Sequence, residues 1–105
     1  MVRFLVLYNE PNDIEAFEKH YREVHIPLSK KLPGLRRYSL SRNAAPISGG
    51  APYYLVVELD WESMEDLKKA FQSPVGEAAR EDVVANLERL CPGVRSMIYE
   101  LEEIL

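Results

Sequence analysis

The chain has two histidines, His20 and His25, and they are its first candidates for proton chemistry. An imidazole has an ordinary pKa near neutrality, so it takes or gives a proton where most side chains cannot. On a helical projection His20 falls in line with Val24, inside an apolar stripe, and His25 falls at the opposite rim beside Ile14. A histidine aimed at a sheet is either a general acid/base or a core residue, its ring nitrogens bonded to a backbone carbonyl and a tyrosine hydroxyl. Six tyrosines accompany the pair: Tyr8, Tyr21, Tyr38, Tyr53, Tyr54 and Tyr99. A tyrosine facing a cleft offers apolar area together with a hydroxyl that orients a polar organic ligand. Ordinary sheet packing accounts for strand tyrosines equally simply. Tyr8 and Asn9 end the first strand and are expected at the mouth of such a cleft.

Other chemistries lack their residues. Two histidines five apart diverge on an α-helix, whereas helical zinc pairs stand four apart on one face, and the lone Cys91 is distant. No metal site is expected. Gly49-Gly50 has neither a Gly-x-Gly-x-x-Gly pattern nor a Walker lysine, and no Gly-x-Ser-x-Gly elbow occurs. No bound cofactor is therefore expected. With 13 Lys+Arg against 17 Asp+Glu the net charge is −4, which disfavours a nucleic-acid grip. No stretch approaches the ~20 apolar residues of a membrane span, and the N-terminus runs straight into a strand pattern rather than a signal peptide. One cysteine suits a reducing compartment, so a cytoplasmic protein is expected. At 105 residues, the chain is read as one domain spanning 1–105.

The elements that must position these residues follow from periodicity and capping. Residues 2–8 alternate as a strand. Asn12, with Glu15 three residues on, reads as the N-cap of a helix buried through Ile14, Phe17, Tyr21, Val24 and Leu28. Pro27 disfavours helical geometry at Ile26, and Pro33-Gly34 ends the connection. Residues 35–43 form a polar strand, 44–52 a loop, and 53–61 the clearest strand in the chain. Ser63 caps a helix with Met64, Leu67 and Phe71 on its buried stripe. Ser73-Pro74 starts another that runs to about Leu90, and a last strand runs from Val94 to about Glu103. The order βαββαβ predicts an α+β fold: a four-stranded antiparallel sheet with the helices on one face. The other face is not polar, because strand one carries Leu5 and Leu7 there and strand three carries Tyr54 and Val56. A homodimer packed through the sheet faces, enclosing a barrel-like core, is the economical way to cover it.

Several motifs together resemble the EthD family. They are Tyr8, Pro11 and Asp13; the run Phe17-x-x-His20-Tyr21-x-x-x-His25-x-Pro27-Leu28; Leu32-Pro33-Gly34-Leu35 with Tyr38; and, later, Phe71-x-Ser73-Pro74-x-Gly76 and the Asp82 region. The resemblance covers essentially the whole chain. It implies a ferredoxin-like subunit of a dimeric α+β barrel, with a ligand between sheet and helices and with His20, Tyr21 and His25 at that cleft. The resulting expectation is a cofactor-free acid/base enzyme of isomerase, lyase or cyclase type. Its substrates would come from the catabolism of aromatic, lactone or ether-derived compounds. His20 is expected as general base, Tyr8, Tyr21 or Tyr38 as oxygen-polarising groups, and His25 as a tuning group or second relay. A non-catalytic ligand-binding dimer and a reductase or oxygenase with a bound cofactor are the alternatives.

Overall fold

The computed structural model describes residues 1–105. Strands β1 (Val2–Tyr8), β2 (Arg37–Ala44), β3 (Tyr53–Trp61) and β4 (Arg95–Glu100) form one antiparallel sheet in the order β2-β3-β1-β4. Two helical arms cross the sheet. The first comprises α1 (Ile14–His20), a π-helical turn (Tyr21–His25) and α2 (Ile26–Ser29). The second comprises α3 (Met64–Gln72), α4 (Pro74–Asp82), a second π-helical turn (Val83–Leu87) and the single turn α5 (Glu88–Leu90). This is the expected βαββαβ arrangement. No helix is long and apolar enough to cross a membrane.

Alternation along the central strands aims Val2, Val6, Tyr8, Leu55, Val57, Leu59 and Trp61 at the helices, where all are buried with Phe17, Tyr21, Leu67, Ala70 and Leu87. Trp61 is fully buried, and its indole N–H donates to the Pro33 carbonyl at 2.9 Å, pinning the loop that leads into β2. On the opposite face Leu5, Leu7 and Val56 are only half-buried and Met97 is exposed. Arg3 crosses this face to Asp60 with two parallel bonds of 2.8 and 3.0 Å, and it also pairs with Glu58. Tyr54 departs from its expected place on this face. Its ring meets Phe17 edge-on and its hydroxyl donates to Glu18 at 2.6 Å, opposite the one non-glycine residue with positive φ, Asn43.

Capping is as expected at two helix starts. Ser63 Oγ accepts from the Asp66 N–H, and Ser73 Oγ accepts from the Gly76 N–H, both at 3.1 Å. At the first helix the cap is Asp13, not Asn12: Asp13 Oδ1 accepts from the Ala16 N–H at 3.0 Å. The Asn12 N–H is held by the Leu90 carbonyl at 2.9 Å, which places Asn12 one residue before the cap, outside the helix. β4 stops at Glu100 rather than Glu103, because its partner strand begins at Val2, opposite Glu100; one more bond, Leu101 N–H to the Met1 carbonyl, closes the ladder.

Pro27 does not end the first helix. It has no N–H, and its ring would press on the carbonyl four residues back; the widened turn at Tyr21–His25 opens the helix just there. Within that turn the Ile26 N–H bonds the Tyr21 carbonyl, five residues back, so the buried stripe changes phase. Phe17, Tyr21, His25 and Ser29 are buried, while the expected stripe members Ile14 and Val24 are 43% and 44% exposed. Phe71, expected inside, lies at the edge of the core, its ring edge-on to Phe4 and Trp61.

Helices α3 and α4 meet at Gly76, where a Cβ would stand 2.2 Å from the Ala70 carbonyl oxygen and 2.6 Å from that of Phe71. Both neighbours are backbone, so neither can swing aside. Gly76→Ala should therefore cost about 3 kcal/mol, read as a lower urea midpoint with an unchanged slope. A wild-type midpoint would show that the junction yields.

Candidate functional site

Asp82, the last residue of α4, is buried and faces the first arm. One carboxylate oxygen, Oδ1, lies 2.7 Å from His20 Nε2 and 2.8 Å from the Asn86 amide nitrogen that donates to it. The other, Oδ2, lies 2.8 Å from His25 Nδ1. Both histidines thus converge on one acid. On an uninterrupted α-helix residues five apart diverge; the π-helical turn between His20 and His25, with bonds running from i to i+5, brings them to one side. Neither histidine makes the carbonyl-and-tyrosine contacts of a plain core residue. Asp82 is the group that local sequence reading passes over. Its only sequence signal is its place in the second half of the family resemblance.

A cavity of about 300 Å³ lies between the sheet and the helices, where the cleft was expected. Tyr8, Tyr21, His25 and Tyr38 line it, with Phe4, Val57 and Leu59 among its apolar walls and Arg80 of α4 also on its lining. His20 and Asn9 do not line it. His20 stands behind Asp82, its side chain 22% exposed against 9% for His25. Asn9 lies past the end of β1, where its carbonyl accepts from the buried Cys91 thiol at 3.0 Å, and it borders a separate depression with the 44–53 segment and Arg95. Proximity to the strand end did not suffice, because the chain turns away from the cavity after Tyr8.

The site's electrostatics follow from burial and this bonding. Burial, the largest influence, pulls the His25 pKa below its ordinary 6.5, against the contrary pull of Asp82. For Asp82 burial pushes upward, but the bonds from Asn86, His25 and His20 outweigh it and hold the carboxyl below its usual range. A neutral His25 with a carboxylate at Nδ1 keeps its proton on that nitrogen, leaving Nε2 as the basic atom. The hydroxyls of Tyr21 and Tyr38 stand 3.0 Å apart, and the Tyr21 ring packs 5.2 Å from the His25 ring. Burial pushes the pKa values of Tyr8, Tyr21 and Tyr38 up, so all three remain protonated hydrogen-bond donors across the neutral range.

Comparison with known proteins agrees with this architecture. The EthD domain family matches residues 9–87. A Rhodococcus erythropolis protein, an uncharacterised 11.0 kDa product of the thcB-thcC intergenic region, is 34% identical over 104 residues, covering 98% of this chain and 96% of its own. The crystal structure of an ethyl tert-butyl ether D (EthD) family protein from Bacillus halodurans superposes with a TM-score of 0.84 at 32% identity, covering 97% of this chain and 99% of the other. A dimeric ferredoxin-like protein of unknown function from Thermobifida fusca shares the fold at 14% identity, with a TM-score of 0.68 and coverage of 95% and 90%. With its ferredoxin-like sheet and helices, and with family similarity over most of its length, the chain belongs to the EthD family.

Proposed function

We propose that the chain is an acid–base enzyme in which His25, not His20, is the general base. The observation that carries this reading is the division of the His25 ring: Nδ1 is committed to Asp82, while the ring lines the cavity and Nε2 makes no bond within the chain. Nε2 removes a proton from a carbon next to a carbonyl of the bound molecule. Within the Tyr21–Tyr38 pair one hydroxyl donates to the other, and the hydroxyl whose proton is left free donates to the oxygen on which negative charge develops. Asp82 steadies the imidazolium that forms, and His20, the more exposed partner of the same carboxylate, links it to solvent. The base that takes the proton and the hydroxyl that donates to the developing oxyanion are both side chains of this chain, so the step calls on no cofactor. The apolar walls suit aromatic, lactone or ether-derived carbonyl compounds, and the reaction would be an isomerisation, elimination or cyclisation in their catabolism.

The working form is a homodimer in the cytoplasm, joined through the uncovered sheet face. Half-buried Leu5, Leu7 and Val56 beside exposed Met97 support it, as does the dimeric state of the similar Thermobifida fusca protein. Sedimentation should give twice the chain mass, and Leu7→Arg on the central strand should return it to the chain mass. A wild-type monomer would sink the dimer.

The chemistry is tested by deuterium exchange at the carbon next to the carbonyl in a panel of aryl ketones and lactones, followed by NMR in D2O. His25→Gln should slow exchange at least about 100-fold, with folding checked by circular dichroism. His20→Gln should leave a larger residual rate. Ligand binding by wild-type protein without exchange of any panel member would favour an accessory binding role instead. Full exchange by His25→Gln would remove His25 from the mechanism.

The titration of His25 gives a second check. Its ring signals should titrate below 6.5, and Asp82→Asn, which removes the group that holds the proton there, should move the midpoint lower still. Between the folded midpoint and 6.5 the unfolded chain carries a proton that folded His25 does not. Stability from this group therefore rises with pH through that window and is lost on acidification. A His25 midpoint above 6.5 would contradict the assignment.

A further inference from the structure

We infer that Arg80 makes the cavity a site for a carboxylate-bearing ligand, a conclusion that rests on the cavity being the substrate site. Acidic residues outnumber basic ones in this chain, yet no aspartate or glutamate lines the cavity. Arg80 is its one permanently charged lining group. Asp82 lies two residues further along the same helix, but its carboxylate is occupied by His20, His25 and Asn86 and does not line the cavity. Elsewhere the arginines that face acids are engaged: Arg3 with Asp60, Arg36 with Glu62 and Arg42 with Glu18. Arg80 forms no ion pair, although Glu77 and Glu81 share its helix. Arg80 is exposed and so stands at the solvent rim of the cavity it lines, while His25 is buried.

A guanidinium presents paired N–H donors that match a carboxylate, and water at the rim solvates the charge while the apolar body is enclosed. One fixed cation and one base at separate points also orient the ligand. The carboxylate is held at Arg80 and the aromatic body lies against Phe4, Val57 and Leu59. The reacting carbon is then turned toward His25.

The test compares 2-naphthoate with its neutral isostere 2-naphthamide by calorimetry at low ionic strength, on wild-type protein, Arg80→Gln and Arg80→Lys. The His25 ring signals are followed in parallel. Wild-type protein should bind the naphthoate about tenfold more tightly than the amide. Arg80→Gln should reduce naphthoate to the affinity of the amide and leave the amide unchanged, while Arg80→Lys keeps part of the preference. Added salt should weaken naphthoate alone. Equal wild-type affinities, or a preference that survives Arg80→Gln, would overturn the inference; if the amide still perturbs the His25 ring, the cavity reading stands without it. Silence of that ring to both compounds overturns the cavity reading and the inference together.

Discussion

Two helical arms meet above the sheet at one buried carboxylate, and the form of the cavity depends on that meeting. Asp82 takes bonds from His20 and His25 across the interface and from Asn86 along its own arm. Hydrogen bonds to a charged group contribute about 1.5–3 kcal/mol each, while a buried carboxylate left without them would be strongly disfavoured. The bonds therefore act together, fixing where the first arm sits along the second. Phe17, Tyr21 and Leu87 fill the space beneath with apolar contacts that have no comparable directionality. Packing brings the arms together; the carboxylate sets their register.

The meeting of the arms also depends on how a helix with a proline inside it is built. Pro27 is accommodated by a turn one residue wider than α-helical, and that turn is what places residues five apart on a common side. Side chains at Tyr21 and His25 face the cavity, and His20 comes in behind. A regular helix would have sent one histidine toward solvent. The second π-helical turn begins directly after Asp82, so both arms change pitch where they touch.

Much of this fold is legible in the sequence because its signals are local. Strand alternation, the Ser63 and Ser73 caps and the apolar second face of β1 each depend on a few neighbouring residues, and together they specify βαββαβ. The site is less legible. A π-helical turn has no residue signature of its own, so an unbroken 3.6-residue period put Ile14 and Val24 inside and separated the histidines. Asp82 reads as a solvated helix acid because its partners lie far back in the chain, at His20 and His25. Tyr8, Tyr21 and Tyr38 were legible as a group because tyrosines at strand ends and on a buried helix face point the same way in any version of this fold.

The sheet order bears on how the chain assembles. Only β2 and β3 are joined as neighbours through a single loop. β1 does not pair with β2, the next strand in sequence, but with β3 and β4: its residue 8 lies opposite residue 55, and its residue 7 opposite residue 95. Such distant pairings close late, since each must first overcome the entropy of a long loop. Phe4, Val6 and Tyr8 on that strand form part of the cavity floor, and Asp82 reaches its histidines only when both crossovers are in place. A β2–β3 hairpin or a lone helical arm has no floor and no shared acid. The closed cavity is thus the last feature to form during folding and the first to be lost on partial unfolding.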